Sequence, residues 1–428
     1  MNYKTNYLKF LLGIMLLGNL SLITSCEKET ATVEPPDGGT PLYVDTLYEK
    51  PEAIWSSMLN PDSLFSQSME TILYNNLVIS SSVNANAAGV VCAFDQHSGQ
   101  LVWEWSDFLP DDNHQFFLLR QTNQVIDNYL YCQNRKARYC INLDNGNTVW
   151  RAYEDWSGSF SNTFENNMLR TITHGKEEPY IDSTDFYISP ISSNEWKKIY
   201  TFRRTDDYDA NVPNFTMEIN PDGDTILYFQ ARRLRPDPSL PYSGRIDLYA
   251  LNLTQDSILW VQQKINASGN SNVQPLTISN DLLYFAGSHT LFCYDKEFGD
   301  PIWKHQAPSS LLTSNYIIHN DLLIYKTDIG HTQALNRFTG NLIWETNTVY
   351  CCAGFIASGD VLCLNGTYLY LIDLTDGTIL YKLKTPGSPN GYFHTRFAWD
   401  LEKNTIYGPD GFQIHEMIIP PIAGFNAP

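Results

Sequence analysis

Residues 332–344 read TQALNRFTGNLIW, and residues 291–303 read LFCYDKEFGDPIW. Both stretches carry an Asp or Asn, a Gly four residues later and a Trp four residues after that. This phrase occurs six times, with one Gly and one Trp replaced: Asp95/Gly99/Trp103, Asn142/Gly146/Trp150, Asn252/Asp256/Trp260, Asp295/Gly299/Trp303, Asn336/Gly340/Trp344 and Asp373/Gly377/Tyr381. A unit that cannot bury its own apolar face stacks on copies of itself, so the sequence predicts a repeat protein.

Each phrase predicts a β-hairpin. Apolar residues precede the Asp or Asn, the Gly supplies the positive φ of a short hairpin loop, and an apolar strand follows. Another apolar run lies upstream of most copies behind a turn pair, as Leu282–Phe285 does behind Asn280 and Asp281. With one further short strand, each unit contains four antiparallel strands in roughly 37 to 47 residues, which is the size of a β-propeller blade.

The number of blades follows from the gaps between phrases. The interval from Trp150 to Trp260 exceeds two blade lengths, so it predicts a degenerate blade with Trp196 in or near its last strand. Three apolar runs after residue 396 have no Trp phrase behind them, whereas Ala53 to Trp55 resemble the end of one. We therefore predict an all-β propeller of eight blades over residues 43–428, closed by joining N- and C-terminal strands. Seven blades is the alternative.

The phrase resembles the pyrroloquinoline-quinone-like (PQQ-like) repeat over residues 52–417. The family includes the propeller lipoprotein of the outer-membrane β-barrel assembly machine and, more distantly, quinoprotein dehydrogenases, which bind the quinone and a calcium ion. The resemblance implies the propeller fold. It leaves a binding role and an oxidoreductase activity both open.

The N-terminus predicts a membrane anchor. Residues 1–25 combine Lys4 and Lys9 with a short apolar run, as in a signal peptide, and the residues before Cys26 resemble a bacterial lipobox. Cys26 would then carry acyl chains, and the polar residues 26–42 would form a flexible tether. An ordinary signal peptide with an incidental Cys is the alternative. The expected location is the bacterial envelope, at the outer membrane, on its periplasmic or surface side.

The charge of the chain excludes one class of partner. The formal net charge is −19 at pH 7. Nucleic-acid binding needs a basic face, and the sequence shows none, so we expect no nucleic-acid partner.

The repeated aromatic and glycine residues predict structure rather than ligand binding. A side chain that recurs at one position of every blade serves a purpose common to every blade, which is packing against the next blade. The structural set comprises Trp103, Trp150, Trp260, Trp303, Trp344 and Tyr381 with Gly99, Gly146, Gly299, Gly340 and Gly377. Trp105, Trp156 and Trp399 lie outside the phrase and are better candidates for an exposed surface.

The cysteines carry a weaker signal. Cys92, Cys140 and Cys293 occupy positions where small residues stand in other copies, which favours buried thiols, although Cys132 and Cys140 could form a disulfide within one hairpin. The adjacent Cys351 and Cys352 resemble the vicinal disulfide of some quinoprotein dehydrogenases. The residues that accompany that disulfide in the family are missing here, so two unconnected thiols are favoured, and Cys363 could pair with one of them.

Residues for a metal or for catalysis are sparse. Asp206, Asp207, Asp209 and Asn211 form the densest run of oxygen ligands, but their spacing departs from the EF-hand pattern and favours a solvated loop. Asp222 to Asp224 and the pair Trp399 and Asp400 indicate turns. No Ser/His/Asp or Cys/His set is evident from spacing. We therefore expect no cofactor, with PQQ and calcium unsupported.

The sequence thus favours a lipid-anchored, non-catalytic propeller that binds or scaffolds another envelope protein or a small ligand. The stretch from Thr201 to Arg245 is the longest departure from the repeat and is the candidate partner contact, with Arg232, Arg233 and Arg235 as its charged feature. The alternatives are a PQQ-dependent quinoprotein oxidoreductase and a cell-surface glycan-binding lipoprotein.

Overall fold

The structure is a computed structural model. It describes residues 48–49, 52–59, 69–83, 89–110, 124–133, 137–153, 162–175, 181–204, 209–213, 215–233, 245–266, 276–348, 354–366, 368–386, 393 and 395–419.

The regular structure of these residues is entirely β, and the strands form eight sheets. Four consecutive strands make one blade. Blade 1 comprises β3 Ile72–Tyr74, β4 Leu77–Val83, β5 Gly89–Asp95 and β6 Leu101–Trp105, and blade 2 comprises β7 Gln124–Ile126, β8 Tyr129–Gln133, β9 Ala137–Asn142 and β10 Thr148–Tyr153. Blade 3 comprises β11 Asn162–Phe164, β12 Asn167–His174, β13 Ser183–Pro190 and β14 Lys197–Arg203. Blade 4 comprises β15 Phe215–Ile219, β16 Thr225–Arg233, β17 Arg245–Asn252 and β18 Ser257–Asn266.

The second half of the chain continues the pattern. Blade 5 comprises β19 Thr277–Ser279, β20 Leu282–Ala286, β21 Thr290–Asp295 and β22 Pro301–Gln306. Blade 6 comprises β23 Leu311–His319, β24 Leu322–Thr327, β25 His331–Asn336 and β26 Leu342–Asn347. Blade 7 comprises β27 Phe355–Ser358, β28 Val361–Leu364, β29 Leu369–Asp373 and β30 Ile379–Leu383. First strands of neighbouring blades contact one another, for example β11 with β15 and β23 with β27, so the first strand is innermost and the fourth outermost.

Blade 8 joins the two ends of the chain. Its inner strands are β31 Ala398–Asp400, β32 Thr405–Pro409 and β33 Gln413–Ile418, and its outer strand is β2 Ala53–Met58. The outer strand β2 pairs with β33 in antiparallel orientation, with Ser56 opposite His415 and Met58 opposite Gln413. The prediction of eight blades closed by both termini is confirmed, and the seven-blade alternative is wrong. Closure removes an exposed sheet edge.

The core lies between blades rather than within one blade. Eight apolar clusters each combine residues of two neighbouring blades, beginning with blades 1 and 2 and ending with blades 8 and 1. In the last of them Val78 of blade 1 packs with Tyr407 and Ile414 of blade 8, all fully buried. Because burial of apolar surface drives folding, each blade depends on both neighbours for its stability.

One strand was absent from the sequence-based expectation. β1, Tyr48–Glu49, pairs in parallel with the outer strand β30 of blade 7, with Tyr48 opposite Lys382 and Glu49 opposite Leu383. Blade 7 is therefore a five-stranded sheet. The described residues include no helix with the length and apolar character needed to cross a membrane.

Candidate functional site

The two ends of the ring carry different connections. At the short-turn end, tight turns such as Asn75–Asn76 join first to second strands, and the phrase turns join third to fourth strands. At the loop end lie the connections from second to third strands and from blade to blade, for example residues 287–289 and residues 307–310. Binding residues are concentrated on loops held by a rigid scaffold, so the loop end is the candidate functional surface.

The repeated Trp side chains connect each blade to the next. In six blades the indole Nε1 donates a hydrogen bond to a backbone carbonyl of the following blade: Trp55 to Gln96 (3.1 Å), Trp103 to Leu143 (3.2 Å), Trp150 to Ile191 (2.9 Å), Trp260 to Lys296 (3.1 Å), Trp303 to Arg337 (2.8 Å) and Trp344 to Leu374 (2.7 Å). A buried indole N–H normally needs such a partner. These side chains therefore lie between blades and not on a ligand-binding surface.

The phrase glycines receive the indole rings. A Cβ added to any of five glycines would lie less than 3.0 Å from the Trp ring of the preceding blade, and all five have positive φ: Gly99, Gly146, Gly299, Gly340 and Gly377. Both features exclude larger residues. Blade 4 uses Asp256 at this position, with φ +48°, and Asp is one of the residues that tolerate this conformation.

Blade 3 is the degenerate copy. Tyr200 of β14 lies opposite Phe186, in the place that Trp103 takes opposite Ala93 in blade 1. Trp196 directly precedes β14 and has a different environment. The guanidinium Cζ atoms of Arg138 and Arg170 lie over its ring, 4.7 and 4.2 Å from the ring centroid. Tyr200 is therefore the structural counterpart of the repeated Trp in this blade.

The predicted partner contact is largely part of blade 4. The stretch from Thr201 to Arg245 contains β15 and β16, so it is not one long excursion. Arg232 and Arg233 are the last residues of β16, at the loop end, and Arg235 lies outside the described residues. The register places Arg233 opposite Arg245. The turn predicted from Asp222 to Asp224 joins β15 to β16, but sequence reasoning did not assign the residues on either side of it to strands.

The acidic run before blade 4 is not a solvated loop where the structure describes it. Asp209 is buried, and one of its carboxylate oxygens accepts a hydrogen bond from the Ile181 N–H at 3.4 Å. Asn211 forms an isolated bridge with Arg232, whose N–H donates to the Asn211 carbonyl at 2.7 Å. These contacts fix the backbone beside Arg232. Asp206 and Asp207 lie outside the described residues.

A buried carboxylate supports the loop end of blade 4. Asp247 has no exposed surface, and its side chain accepts hydrogen bonds from Arg245 Nε at 3.1 Å and from the Lys264 N–H at 2.9 Å. Burying a charge requires such pairing. The arrangement fixes the Arg245 side chain at the start of β17.

A second polar cluster lies at the loop end of blade 3. Asp185 accepts hydrogen bonds from the Thr201 hydroxyl at 2.6 Å and from His174 Nε2 at 3.0 Å, and Lys198 Nζ lies 3.5 Å away. Burial acts to raise the pKa of Asp185, but these hydrogen bonds and the Lys198 charge outweigh it and hold the pKa below its ordinary value. The exposed Lys198 and His174 therefore surround an ionised carboxylate.

Ring closure brings together three residues that spacing did not reveal. Ser56 Oγ lies 2.8 Å from His415 Nδ1, and His415 Nε2 lies 3.2 Å from Asp410 Oδ2. Burial acts to raise the pKa of Asp410, but His415 and the Phe412 and Gln413 N–H groups hold it below its ordinary value. A hydroxyl, imidazole and carboxylate in this order also occur in acyl-transfer triads. Ser56 and His415 lie on the paired strands β2 and β33, and Asp410 lies in the turn between β32 and β33. We interpret the three residues as a closure contact.

The cysteines are packing residues where they are described. Cys92, Cys132, Cys140, Cys293 and Cys363 are buried free thiols. Burial raises the pKa of Cys92, Cys140 and Cys293 to about 12, so these thiols are neutral. The Cys132–Cys140 disulfide is not formed, because Cys132 lies opposite Tyr139 and Cys140 opposite Tyr131, on opposite faces of the hairpin. Cys351 and Cys352 lie outside the described residues.

The described residues do not supply a calcium site. Within them, no group of three or more His, Cys, Asp or Glu side chains is placed to hold a metal ion. Acidic residues instead stabilise turns: Asp400 Oδ1 accepts the Glu402 and Lys403 N–H groups, and Asp224 Oδ2 accepts hydrogen bonds from the Asn252 and Gln255 side chains in the phrase turn of blade 4. The calcium ion implied by one branch of the family therefore has no such side-chain cluster among the described residues.

Comparison with known proteins supports the fold. Residues 244–380 match the family model described as outer membrane protein assembly factor BamB. A search of curated proteins found no match.

Similar solved structures include BamB from Moraxella catarrhalis, at 12% identity and a TM-score of 0.55, covering 86% of this chain and 100% of that one. A europium-containing methanol dehydrogenase matches at 10% identity and a TM-score of 0.56, covering 85% of this chain and 84% of that one. The quinohemoprotein alcohol dehydrogenase ADHIIG from Pseudomonas putida HK5 matches at 11% identity and a TM-score of 0.57, covering 88% of this chain and 77% of that one. The resemblance to PQQ-like propellers is confirmed, and at these identities it extends to the fold alone.

Proposed function

We propose that this chain is a non-catalytic scaffold of the bacterial envelope, which binds another envelope protein through the loop end of blades 3 and 4. The observation that carries the proposal is the match of residues 244–380, blades 4 to 7, to a family described as an outer membrane protein assembly factor. The use of the repeated aromatic residues for contacts between blades agrees with it, because a scaffold needs a rigid ring and variable loops.

The charges at the loop end indicate the partner's chemistry. Arg232 and Arg233 end β16 beside Arg245, and His174, the last residue of β12, is exposed at the loop end of blade 3. Basic groups concentrated on one part of an otherwise acidic protein attract acidic side chains and steer association. The proposed partner therefore presents Asp or Glu residues to this surface.

Site-specific photocrosslinking in intact envelopes tests the proposal. A photoreactive residue at His174 or Arg232 should give one discrete adduct with an envelope protein, whereas the same residue at Asn145, in a phrase turn of blade 2 at the short-turn end, should not. Loss of the adduct at high ionic strength would match the charged contact, because salt screens exposed charges. Equal adducts from all three positions, or none, would contradict the proposal.

The location belongs to the same proposal: Cys26 carries the lipid that holds the scaffold at the outer membrane. The Cys26→Ala protein should be released from membranes, because the predicted tether is too polar to hold it there. Metabolic labelling with a palmitate analogue measures the attachment, and the unmodified chain is the control. Continued labelling of the Cys26→Ala protein would refute lipidation at this residue.

A quinoprotein oxidoreductase is the second candidate, favoured by the dehydrogenases among the similar folds. Titration with PQQ in the presence of calcium separates the two functions. The scaffold proposal expects no calcium-dependent change in quinone absorbance. Saturable binding of the quinone would support the oxidoreductase.

A further inference from the structure

The outer strands of blades 4 to 6 expose apolar side chains. In each blade one or both of the two residues before the repeated Trp point to solvent, and the phrase turn of blade 5 adds an exposed Phe. These residues, which we call the apolar rim, are Ile258, Leu259, Phe298, Ile302, Leu342 and Ile343. Phe298 is 64% exposed and Ile258 59% exposed.

The contacts between blades place the parts of the rim on neighbouring segments. The ring of Trp260 lies against Gly299, so the strand that carries Leu259 runs beside the phrase turn that carries Phe298. Trp303 lies against Gly340 in the same way, so the strand that carries Ile302 runs beside the phrase turn of blade 6. Single exposed apolar residues are ordinary, but a group of them on neighbouring blades is a candidate interaction surface.

The rim follows open sheet edges. Among the strands that the structure describes, β18, β22 and β26 each end their sheet, so no described strand pairs with their outward N–H and C=O groups. β18 is the longest of the three, with ten residues. Such edges pair readily with another extended chain.

Blade 7 shows what an occupied edge looks like. Its outer strand β30 carries β1 as a fifth strand, and the two residues before Tyr381, Ile379 and Leu380, are only partly exposed. The matching residues of blade 4, Ile258 and Leu259, are exposed. The same apolar pair is therefore less exposed on the blade that carries an added strand.

The surrounding charges specify the occupant further. Asp256, Glu297 and Asp300 are exposed at the phrase turns next to the rim, and Lys296 is already paired with Glu218 at 3.0 Å. Lys264 and Lys304 are exposed farther along β18 and β22. The acidic phrase turns and the net charge of −19 for the whole chain favour a basic ligand and disfavour an anionic lipid surface.

We propose that the apolar rim binds an extended segment of another protein, with alternating apolar and basic residues, as an added β-strand on the outer edge of blade 4. This surface is separate from the loop end and stands independently of the partner proposed there. A scaffold with both surfaces would hold two polypeptides at once.

A defined peptide tests the proposal. The probe is a capped, fluorescent ten-residue peptide of alternating Val and Lys, and its control carries N-methyl groups on alternate amides. With the mature protein, the probe should bind and should slow amide hydrogen exchange in residues 257–263, while the N-methylated control should not. Replacing Leu259 or Phe298 by Lys should weaken binding at least tenfold. The matched change Leu101→Lys in blade 1, where the neighbouring turn lacks Phe, should change it less than twofold.

Several outcomes would overturn the proposal. Equal binding of the N-methylated peptide would mean that no strand pairing occurs, and protection of blade 1 in place of blade 4 would place the site elsewhere. Failure of the probe to bind would also reject it. A dimer that dissociates on Phe298→Lys substitution would make a second copy of the chain the occupant. Unchanged melting temperatures would show that the variants are folded.

Discussion

Deletion of residues 42–58 should abolish cooperative folding, whereas deletion of residues 27–41 should leave it intact. The first deletion removes β2, the outer strand of blade 8 and the only segment that joins the N-terminus to β33 among the described residues. It also removes Trp55, whose indole bonds to Gln96 and whose ring lies against Gly99 of blade 1. The deletion also removes β1, so the outer edges of β33 and β30 both lose a paired strand, which favours aggregation.

Thermal unfolding followed by circular dichroism, with size-exclusion chromatography, measures both deletions. The tether deletion is the control, since it removes a similar length of chain without a predicted strand. A soluble protein that lacks residues 42–58 and unfolds cooperatively would show that the ring is stable without its terminal strand. A milder variant, Ser56→Ala, should lower stability only slightly, because it removes a single hydrogen bond to His415.

Much of the fold was predictable because its information is local and repeated. Each phrase fixes a hairpin by a turn residue and a docking aromatic, and even the closing strand was visible in Ala53 to Trp55. Blade 3 was harder, since Tyr200 replaces Trp and no Gly marks its turn. β1 was missed because two residues carry no periodicity, and its pairing with β30 depends on contacts more than three hundred residues away in sequence.

The candidate sites were less predictable for a physical reason. Asp185 and Thr201, or Asp247 and Lys264, meet only because antiparallel register brings neighbouring strands together, and no spacing rule encodes their shared hydrogen bonds. Arg232 was assigned to a loop because the sequence around it is polar, yet it ends a strand. The apolar rim escaped notice since Ile258 and Leu259 look like core residues until the sheet edge is known.

The replacement of Trp344 by Ala should destabilise the fold by about 3 to 5 kcal/mol, as truncation of a large buried aromatic does. Trp344 is 5% exposed and packs in the cluster between blades 6 and 7. Its Nε1 donates a hydrogen bond to the Leu374 carbonyl at 2.7 Å, which the variant leaves without this partner. Because each blade depends on its neighbours, we expect the loss to appear as a lower midpoint for the whole ring.

A double-mutant cycle with Gly377 identifies the cause. Gly377→Ala alone should destabilise through its positive φ and through the clash of the new Cβ with the Trp344 ring. In the Trp344→Ala background the clash disappears while the backbone strain of about 1 to 2 kcal/mol remains, so the second substitution should cost less than it does alone. Denaturant unfolding of the four proteins measures the coupling. Additive effects would mean that the Trp344 indole ring and Gly377 do not interact. An unchanged stability of the Trp344→Ala protein with lost partner binding would make Trp344 a recognition residue.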